Sequence, residues 1–197
     1  MPLSPNELEK FGLIQFPTVI GGDVPIINVP GIKTGELVLN GPILAKIFLG
    51  EIKKWNDPEI SKLNTNISLP DLPIVVVHRS DGSGTSFVWT DYLSKVSADW
   101  RAKVGASTHV QWPEGIGGQG NDGVAKNVID ISGSIGYVEA AFAKKRHIPV
   151  ARMINKSGKI VSPNMKSFEV AARNADWLKS KSFNVSLTDQ SGDEVWP

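Results

Sequence analysis

The fold is decided by the stretch Ile74-Val75-Val76-Val77-His78-Arg79-Ser80-Asp81-Gly82-Ser83-Gly84-Thr85. Its first four residues form a continuous β-branched run, which is typical of a strand buried on both faces of a parallel sheet. Two glycines follow, and from residue 83 to residue 96 the apolar residues Val88, Tyr92 and Val96 recur at every fourth position, which predicts a helix. The stretch therefore predicts a strand, a glycine-containing turn and a helix in direct succession.

Strand and helix signals alternate on both sides of this stretch. The patterns predict strands at 16–20, 23–29, 133–138 and 149–154, and helices at 4–12, 41–50, 58–63, 122–129, 139–146 and 165–174. Pro25 lacks a backbone N–H, so the second of these strands is expected at an edge of the sheet. Alternation at this spacing predicts a single Rossmann-like α/β domain with a mostly parallel sheet flanked by helices.

Composition excludes several classes of function. The chain has 197 residues, 41% of them hydrophobic, and a net charge of +1, so a broad attraction to nucleic acid is not expected. The absence of cysteine excludes disulfides and thiolate catalysis. His78, His109 and His147 are too far apart to suggest a metal site. Without a basic stripe nearby, Trp55, Trp100 and Trp112 are expected to pack in the core.

The turn after the predicted strand has the chemistry of an anion site. A helix that starts near Ser83 presents unpaired N–H groups and the positive end of its dipole, which suits a tetrahedral oxyanion. Gly82 and Gly84 are expected to allow a sharp turn and close approach of the ligand. Ser83 and Thr85 add hydroxyl donors, and Arg79 adds a fork of charged donors. Asp81 is expected to pair with Arg79 and to fix its direction.

Other interpretations of these residues stay open. The Gly-Ser-Gly-Thr turn is also compatible with a flexible turn and a purely structural helix cap. The second glycine cluster, 117–123, is interpreted either as a helix start capped by Asn121 or Asp122, or as a wall of the same cleft. A hydrolase with Ser83 as nucleophile would need a base such as His78, but alternation along a strand directs His78 and Arg79 to opposite faces. Neither a Walker loop nor a nucleophile elbow is present.

A family resemblance runs in order from Phe16 to Pro197. It is carried by the phrases at 15–22 (QFPTVIGG), 49–55 (LGEIKKW), 79–87 (RSDGSGTSF), 117–123 (GGQGNDG) and 133–139 (GSIGYVE), and by the closing Trp196-Pro197. Together these phrases are specific, although none would be alone. The chain resembles the phosphate-binding proteins of ABC-type phosphate importers, which are periplasmic substrate-binding proteins.

The resemblance implies a fold, a ligand and a set of ligand-binding residues. The fold would be one lobe of a type II periplasmic binding protein, and the protein would bind inorganic phosphate, without a cofactor and without enzymatic activity. Arg79, Ser83, Gly84 and Thr85 would bind the phosphate, and Asp81 would pair with the arginine. Further partners would be the membrane permease of the importer, and the location would be the periplasm.

The sequence departs from the family pattern in its N-terminal part. Family members have a first lobe that supplies further ligands, including an aspartate expected just before the position of Met1. We therefore expect 1–15 to be a remnant of the first lobe and 16–197 to be the phosphate-binding second lobe. Because the N-terminus lacks the build of a signal peptide, expression of the chain as it stands is expected to leave it in the cytoplasm.

A single lobe changes the expected function. Donors on one side would leave half of the anion in water, where charged hydrogen bonds are weakened. Each missing charge-assisted bond would cost about 1.5–3 kcal/mol, so weakened binding and poorer exclusion of sulfate are expected. The alternative is a structural or self-associating lobe that pairs through its exposed cleft face and does not bind phosphate measurably.

Overall fold

The computed structural model describes residues 3–179 and 183–197, so the predicted segments 1–15 and 16–197 are each described in part. The strands are β1 (Asp23–Asn28), β2 (Val38–Asn40), β3 (Val75–Arg79), β4 (Ile116–Gly118), β5 (Ser134–Glu139), β6 (Arg152–Ile154) and β7 (Ile160–Val161). The helices are α1 (Pro5–Phe11), α2 (Gly41–Phe48), α3 (Pro58–Leu63), α4 (Gly84–Val96), α5 (Ala98–Lys103), α6 (Gly120–Asp130), α7 (Ala140–Lys145) and α8 (Met165–Asn174), and a 3-10 turn spans Trp177–Lys179.

A four-stranded sheet in the order β1-β5-β3-β4 forms the centre of the molecule. Strand β3 runs parallel to both of its neighbours, β4 and β5, as its β-branched run predicted. Strand β1 runs antiparallel to β5 at the sheet edge, where Pro25 places no demand on a ladder hydrogen bond. A smaller sheet has the order β2-β6-β7. The predicted α/β class with a mostly parallel sheet and flanking helices is confirmed.

Most predicted helices are present, and local capping explains their ends. Helix α1 begins after Ser4, whose hydroxyl accepts a hydrogen bond from the Glu7 N–H while the Glu7 carboxylate bonds back to Ser4. Helix α4 begins after Ser83 and α8 after Asn164, and each of these side chains caps its own helix. The short helix α5 and the strands β2, β4 and β7 were not predicted from the sequence.

The prediction of a strand at 16–20 is wrong. Residues 16–20 have no regular secondary structure and join no ladder within the part of the chain that the structure describes. Phe16 and Val19 are 64% and 89% exposed, so the apolar pattern here does not report burial against a sheet neighbour. A short apolar run forms a strand only where neighbouring parts of the structure cover it.

Aromatic side chains fill the centre of the core beneath β3 and β5. Trp55 and Trp100 are fully buried, and their indole N–H groups donate to the carbonyls of Gly133 and Gly105. Trp112 packs against Trp100 with ring centroids 5.9 Å apart. The predicted packing role of these tryptophans is confirmed. Across the two described ranges, we find no helix with the length and apolar character needed to span a bilayer.

Candidate functional site

The sheet topology brings four segments to one edge of the central sheet. Strand β3 ends at Arg79, and the parallel strand β5 ends beside it at Glu139. Strand β4 is also parallel to β3, so the start of α6 lies at the same edge. Because β1 is antiparallel, its first residue, Asp23, reaches this edge as well. A cleft of about 790 Å³ opens there, and residues from all four segments line it.

Arg79 is held in the cleft by a bidentate ion pair with Asp81. Its Nε donates to Oδ1 at 2.8 Å and its Nη2 donates to Oδ2 at 2.6 Å. The arginine side chain is only 11% exposed and the aspartate side chain 34%. The guanidinium hydrogen bonds, followed by a hydrogen bond from the backbone N–H of Gly120, hold the pKa of Asp81 well below its usual range. The pairing that the sequence predicted is therefore present, and Asp81 stays ionised.

The second glycine cluster forms a wall of the same cleft. Asn121 accepts a hydrogen bond from Arg79 Nη1 at 3.2 Å, and the Gly120 N–H donates to Asp81 Oδ1 at 3.0 Å. Helix α6 begins at Gly120 after Gln119, which makes no side-chain cap. The interpretation as a cap by Asn121 or Asp122 is thus wrong, because Asn121 lies inside the helix and faces the arginine.

The N-terminus of α4 supplies unpaired backbone donors. The buried Ser83 hydroxyl caps the helix by accepting from the Ser86 N–H at 3.4 Å. Within the described residues, the backbone N–H groups of Gly84 and Thr85 have no acceptor. We call Arg79, Ser83, Gly84 and Thr85 together the cradle. These groups point the positive end of a helix and a guanidinium at one volume, which is a geometry suited to an oxyanion.

Gly82 and Gly84 do not have the expected role in a sharp turn. Neither Gly82 nor Gly84 has a positive φ, so a sharp left-handed turn is not the reason for glycine here. A Cβ at either position would meet no protein atom within 4 Å. The space beside the cradle is therefore open, which agrees with the expected close approach of a ligand.

Glycines in the second cluster serve packing. A Cβ on Gly118 would lie 2.5 Å from the carbonyl carbon of Gly123, and a Cβ on Gly123 would lie 2.9 Å from the carbonyl carbon of Gly118. The end of β4 can thus approach α6 closely only because both residues lack a side chain. This contact fixes Asn121 in front of Arg79.

The buried side chain of Tyr137 makes hydrogen bonds to residues beside and within the cradle. Its hydroxyl accepts a hydrogen bond from the Arg79 backbone N–H at 3.2 Å and shares one with the Ser86 hydroxyl at 2.7 Å. The ring stacks on Trp89 with centroids 4.8 Å apart. Burial raises the pKa of Tyr137 to about 12, so the phenol remains neutral at physiological pH.

Two carboxylates in the cleft were not identified from the sequence. Asp23 and Glu139 are directly opposite in the β1–β5 register, and both line the cleft. Burial and then the charge of Glu139 raise the pKa of Asp23 to about 7, and the charge of Arg79 opposes this shift. The available signals were an acidic residue directly before one apolar strand and another directly after a second. Sequence reasoning also missed Tyr137.

His78 lies away from the cradle. Its ring stacks on Trp112 with centroids 4.8 Å apart, and its Nδ1 is 3.1 Å from the Arg79 carbonyl oxygen. It does not line the cleft that contains Ser83. The structure thus does not place His78 as a base for a Ser83 nucleophile. Among the described residues, we find no group of three His, Cys, Asp or Glu side chains suited to a metal ion.

Curated relatives match the whole chain. The Phosphate-binding protein PstS of Pasteurella multocida (strain Pm70) is 53% identical over 196 residues, covering 100% of this chain and 57% of the relative. The protein of the same name from Xylella fastidiosa (strain Temecula1) is also 53% identical and is covered to 54%. The chain thus spans little more than half the length of these relatives. Both are named for binding phosphate rather than for an enzymatic activity.

Solved structures share the fold at low sequence identity. A human phosphate binding apolipoprotein aligns with a TM-score of 0.71 and 20% identity, over 100% of this chain and 62% of that one. A periplasmic phosphate-binding protein, PfluDING, aligns with a TM-score of 0.65 and 21% identity, over 99% and 60%. The family described as the PBP superfamily domain matches residues 2–190. The chain therefore belongs to the PBP superfamily, with the type II periplasmic-binding-protein fold that the sequence predicted.

Proposed function

We propose that this chain binds inorganic phosphate at the cradle, as part of the substrate-binding component of a phosphate importer. The observation that carries the proposal is the fixed position of Arg79. Asp81 and Asn121 hold the guanidinium from two sides, and Arg79 lines the same cleft as the first residues of α4. Of the five N–H donors of an arginine, three have acceptors among the described residues, which leaves two for a ligand.

The cradle binds by hydrogen bonds more than by net charge. Asp81 balances the charge of Arg79, so attraction depends on aligned N–H and O–H dipoles in a partly buried site. Arg79, Ser83, Gly84 and Thr85 supply direct contacts, and Asp81 acts by holding the arginine. We propose phosphate rather than another oxyanion as the ligand because the relatives are named for phosphate binding.

We further propose that the cradle is one half of a two-lobed site. The boundary lies near residue 15, with 1–15 belonging to a first lobe and 16–197 to the second. Donors on one wall leave the ligand hydrated on its other side, and each missing charge-assisted bond costs about 1.5–3 kcal/mol. Phosphate binding by this lobe alone is therefore weak, and sulfate is poorly excluded. In the periplasm, the complete receptor would deliver phosphate to the membrane permease.

Isothermal titration calorimetry with phosphate and with sulfate tests the proposal. The variant Arg79→Ala removes the guanidinium, and Arg173→Ala removes an exposed arginine on α8 outside the cleft. We expect weak phosphate binding that is lost in Arg79→Ala and kept in Arg173→Ala. Equal binding by both variants would contradict the cradle, whereas strong phosphate binding with sulfate excluded would contradict the half-site.

Self-association is a second candidate, favoured by one observation. Apolar side chains before β1 are exposed, namely Phe11, Leu13, Ile14, Phe16 and Val19. Adjacent apolar side chains of this kind mark contact surfaces more often than free surface. Light scattering coupled to gel filtration tests this: a dimer that Ile14→Ser together with Val19→Ser converts to monomer would support it. A monomer at all concentrations would rule it out.

A further inference from the structure

Acidic side chains outnumber basic ones among the described residues that line the cleft. Among the described residues that line it, Arg79 is the single basic side chain, and Asp23, Asp91 and Glu139 are acidic. Asp91 is neutralised on α4, because Lys95 lies 3.0 Å from it and the Thr188 hydroxyl donates to it at 2.5 Å. Arg79 is already engaged by Asp81. Asp23 and Glu139 are therefore the cleft carboxylates for which the described residues supply no ion-pair partner.

The strand register places these two carboxylates side by side. Asp23 and Glu139 are direct partners in the antiparallel β1–β5 ladder, and opposite residues on one face have Cβ atoms about 4.5–5.5 Å apart. The backbone around them is fixed, since the Ala140 N–H donates to the Gly22 carbonyl at 2.8 Å and the Trp196 indole donates to the Asp23 carbonyl at 3.0 Å. The negative charge of Glu139 therefore disfavours the ionisation of Asp23.

We propose that Asp23, paired across the strands with Glu139, is a further residue of the anion site, whose ionisation weakens the hold of the cradle on a phosphate dianion. The inference rests on the proposed phosphate-binding function and adds to it a residue that controls affinity. Loss of the Asp23 proton adds a negative charge, beside that of Glu139, in the same partly dehydrated cleft as the ligand.

The surroundings of Asp23 support this behaviour. Burial and the charge of Glu139 on β5 raise its pKa to about 7, and the charge of Arg79 on β3 opposes the shift. Tyr137 on β5 stays neutral, Asp91 on α4 is paired with Lys95, and Asp122 on α6 is paired with Arg146. A carboxyl in this setting changes charge near neutral pH. Phosphate affinity should consequently fall as Asp23 ionises, beyond any effect of the ligand's own ionisation.

The test compares phosphate dissociation constants of the wild type and of Asp23→Asn. Both are measured by calorimetry from about pH 5.5 to about pH 8.5, a range that spans the expected change of charge. Both proteins meet the same mixture of phosphate species, so the ratio of their constants cancels the ionisation of the ligand. We expect the dissociation constant of the wild type divided by that of Asp23→Asn to be near one at about pH 5.5. This ratio should rise about 3-fold to 10-fold at about pH 8.5, because the negative charge of Asp23 repels phosphate in a cleft that is partly exposed to water.

Two further variants sharpen the outcome. Glu139→Gln removes the charge that adds to the effect of burial on the pKa of Asp23, so the pH at which Asp23 begins to weaken phosphate binding should be lower. Asp99→Asn makes the same chemical change at an exposed position on α5 and should leave the constants unchanged. A ratio that does not change with pH would overturn this inference alone. Absence of phosphate binding in every variant at every pH would overturn the proposed function and this inference together.

Discussion

The hydroxyl of Tyr137 accepts a hydrogen bond from the backbone N–H of Arg79 at 3.2 Å. This bond joins the middle of β5 to Arg79, the last residue of β3, whose guanidinium belongs to the cradle. The same hydroxyl is 2.7 Å from the Ser86 hydroxyl in the first turn of α4. One buried phenol thus connects the arginine and the helix N-terminus, the two sources of donors in the cradle.

Replacing Tyr137 by Phe should weaken both the fold and the site. The ring can keep its stacking on Trp89, but the Arg79 N–H and the Ser86 hydroxyl lose their shared partner. An unsatisfied buried polar group costs about 1–3 kcal/mol, and urea denaturation should show a loss of that size. Tyr92→Phe is the control, because the Tyr92 hydroxyl has no hydrogen bond within the described residues. An equal loss in the control would refute the linking role.

Substitution of Gly22 should destabilise the protein through a steric clash. A Cβ at this position would lie 2.3 Å from the Phe168 ring, whereas at Gly21 it would meet no atom within 4 Å. Overpacking of this kind costs about 1–3 kcal/mol. We expect Gly22→Ala to lower the thermal midpoint and Gly21→Ala to leave it nearly unchanged. In a Phe168→Leu background, the difference between the midpoints of the two alanine variants should be smaller. If both alanine variants melt together, the contact of Gly22 with α8 is not as close as described.

Substitution of Gly84 should separate binding from stability. A Cβ here meets no protein atom, and alanine favours the first turn of a helix by about 1 kcal/mol over glycine. The added methyl group does, however, enter the space beside the N–H groups of the cradle. We expect Gly84→Ala to unfold at the same or higher urea concentration and to bind phosphate more weakly. Unchanged affinity in a calorimetric titration would show that the ligand does not approach this residue.

Asp81 should contribute stability that is lost in acid. Its pKa is lowered in the folded state, chiefly by hydrogen bonds from Arg79, so the folded protein holds the proton less tightly than the unfolded chain. The contribution is therefore complete above the ordinary aspartate pKa of about 4 and declines as pH falls below it. We expect Asp81→Asn to be less stable than wild type near neutral pH, with the difference shrinking in acid.

Urea denaturation at several pH values measures this difference. The exposed Asp99→Asn variant serves as the control for a general effect of lost charge. A difference between wild type and Asp81→Asn that stays constant down to about pH 2 would mean that the ion pair with Arg79 does not produce the stabilisation.

Local patterns predicted the parts of the cradle well. The β-branched run 74–77 and the cap at Ser83 are short-range signals, and the structure contains β3 and α4 at these positions. The pairing of Arg79 with Asp81 is also local, since only Ser80 lies between them in sequence. The apolar run at 16–20 does not form a strand, because no strand of the described residues pairs with it and Phe16 and Val19 are exposed.

The sequence by itself determined the α/β class, the strand–turn–helix unit and the donors that line one face of the cleft. These depend on hydrogen bonds and side-chain periodicity within a few residues. Only the tertiary structure decided that Asp23, Asn121, Tyr137 and Glu139 join them. Their positions depend on strand order and direction, because parallel β3, β4 and β5 end at the edge where antiparallel β1 begins. The raised pKa of Asp23 likewise arises from burial and from a neighbour more than a hundred residues away along the chain, which no local pattern can encode.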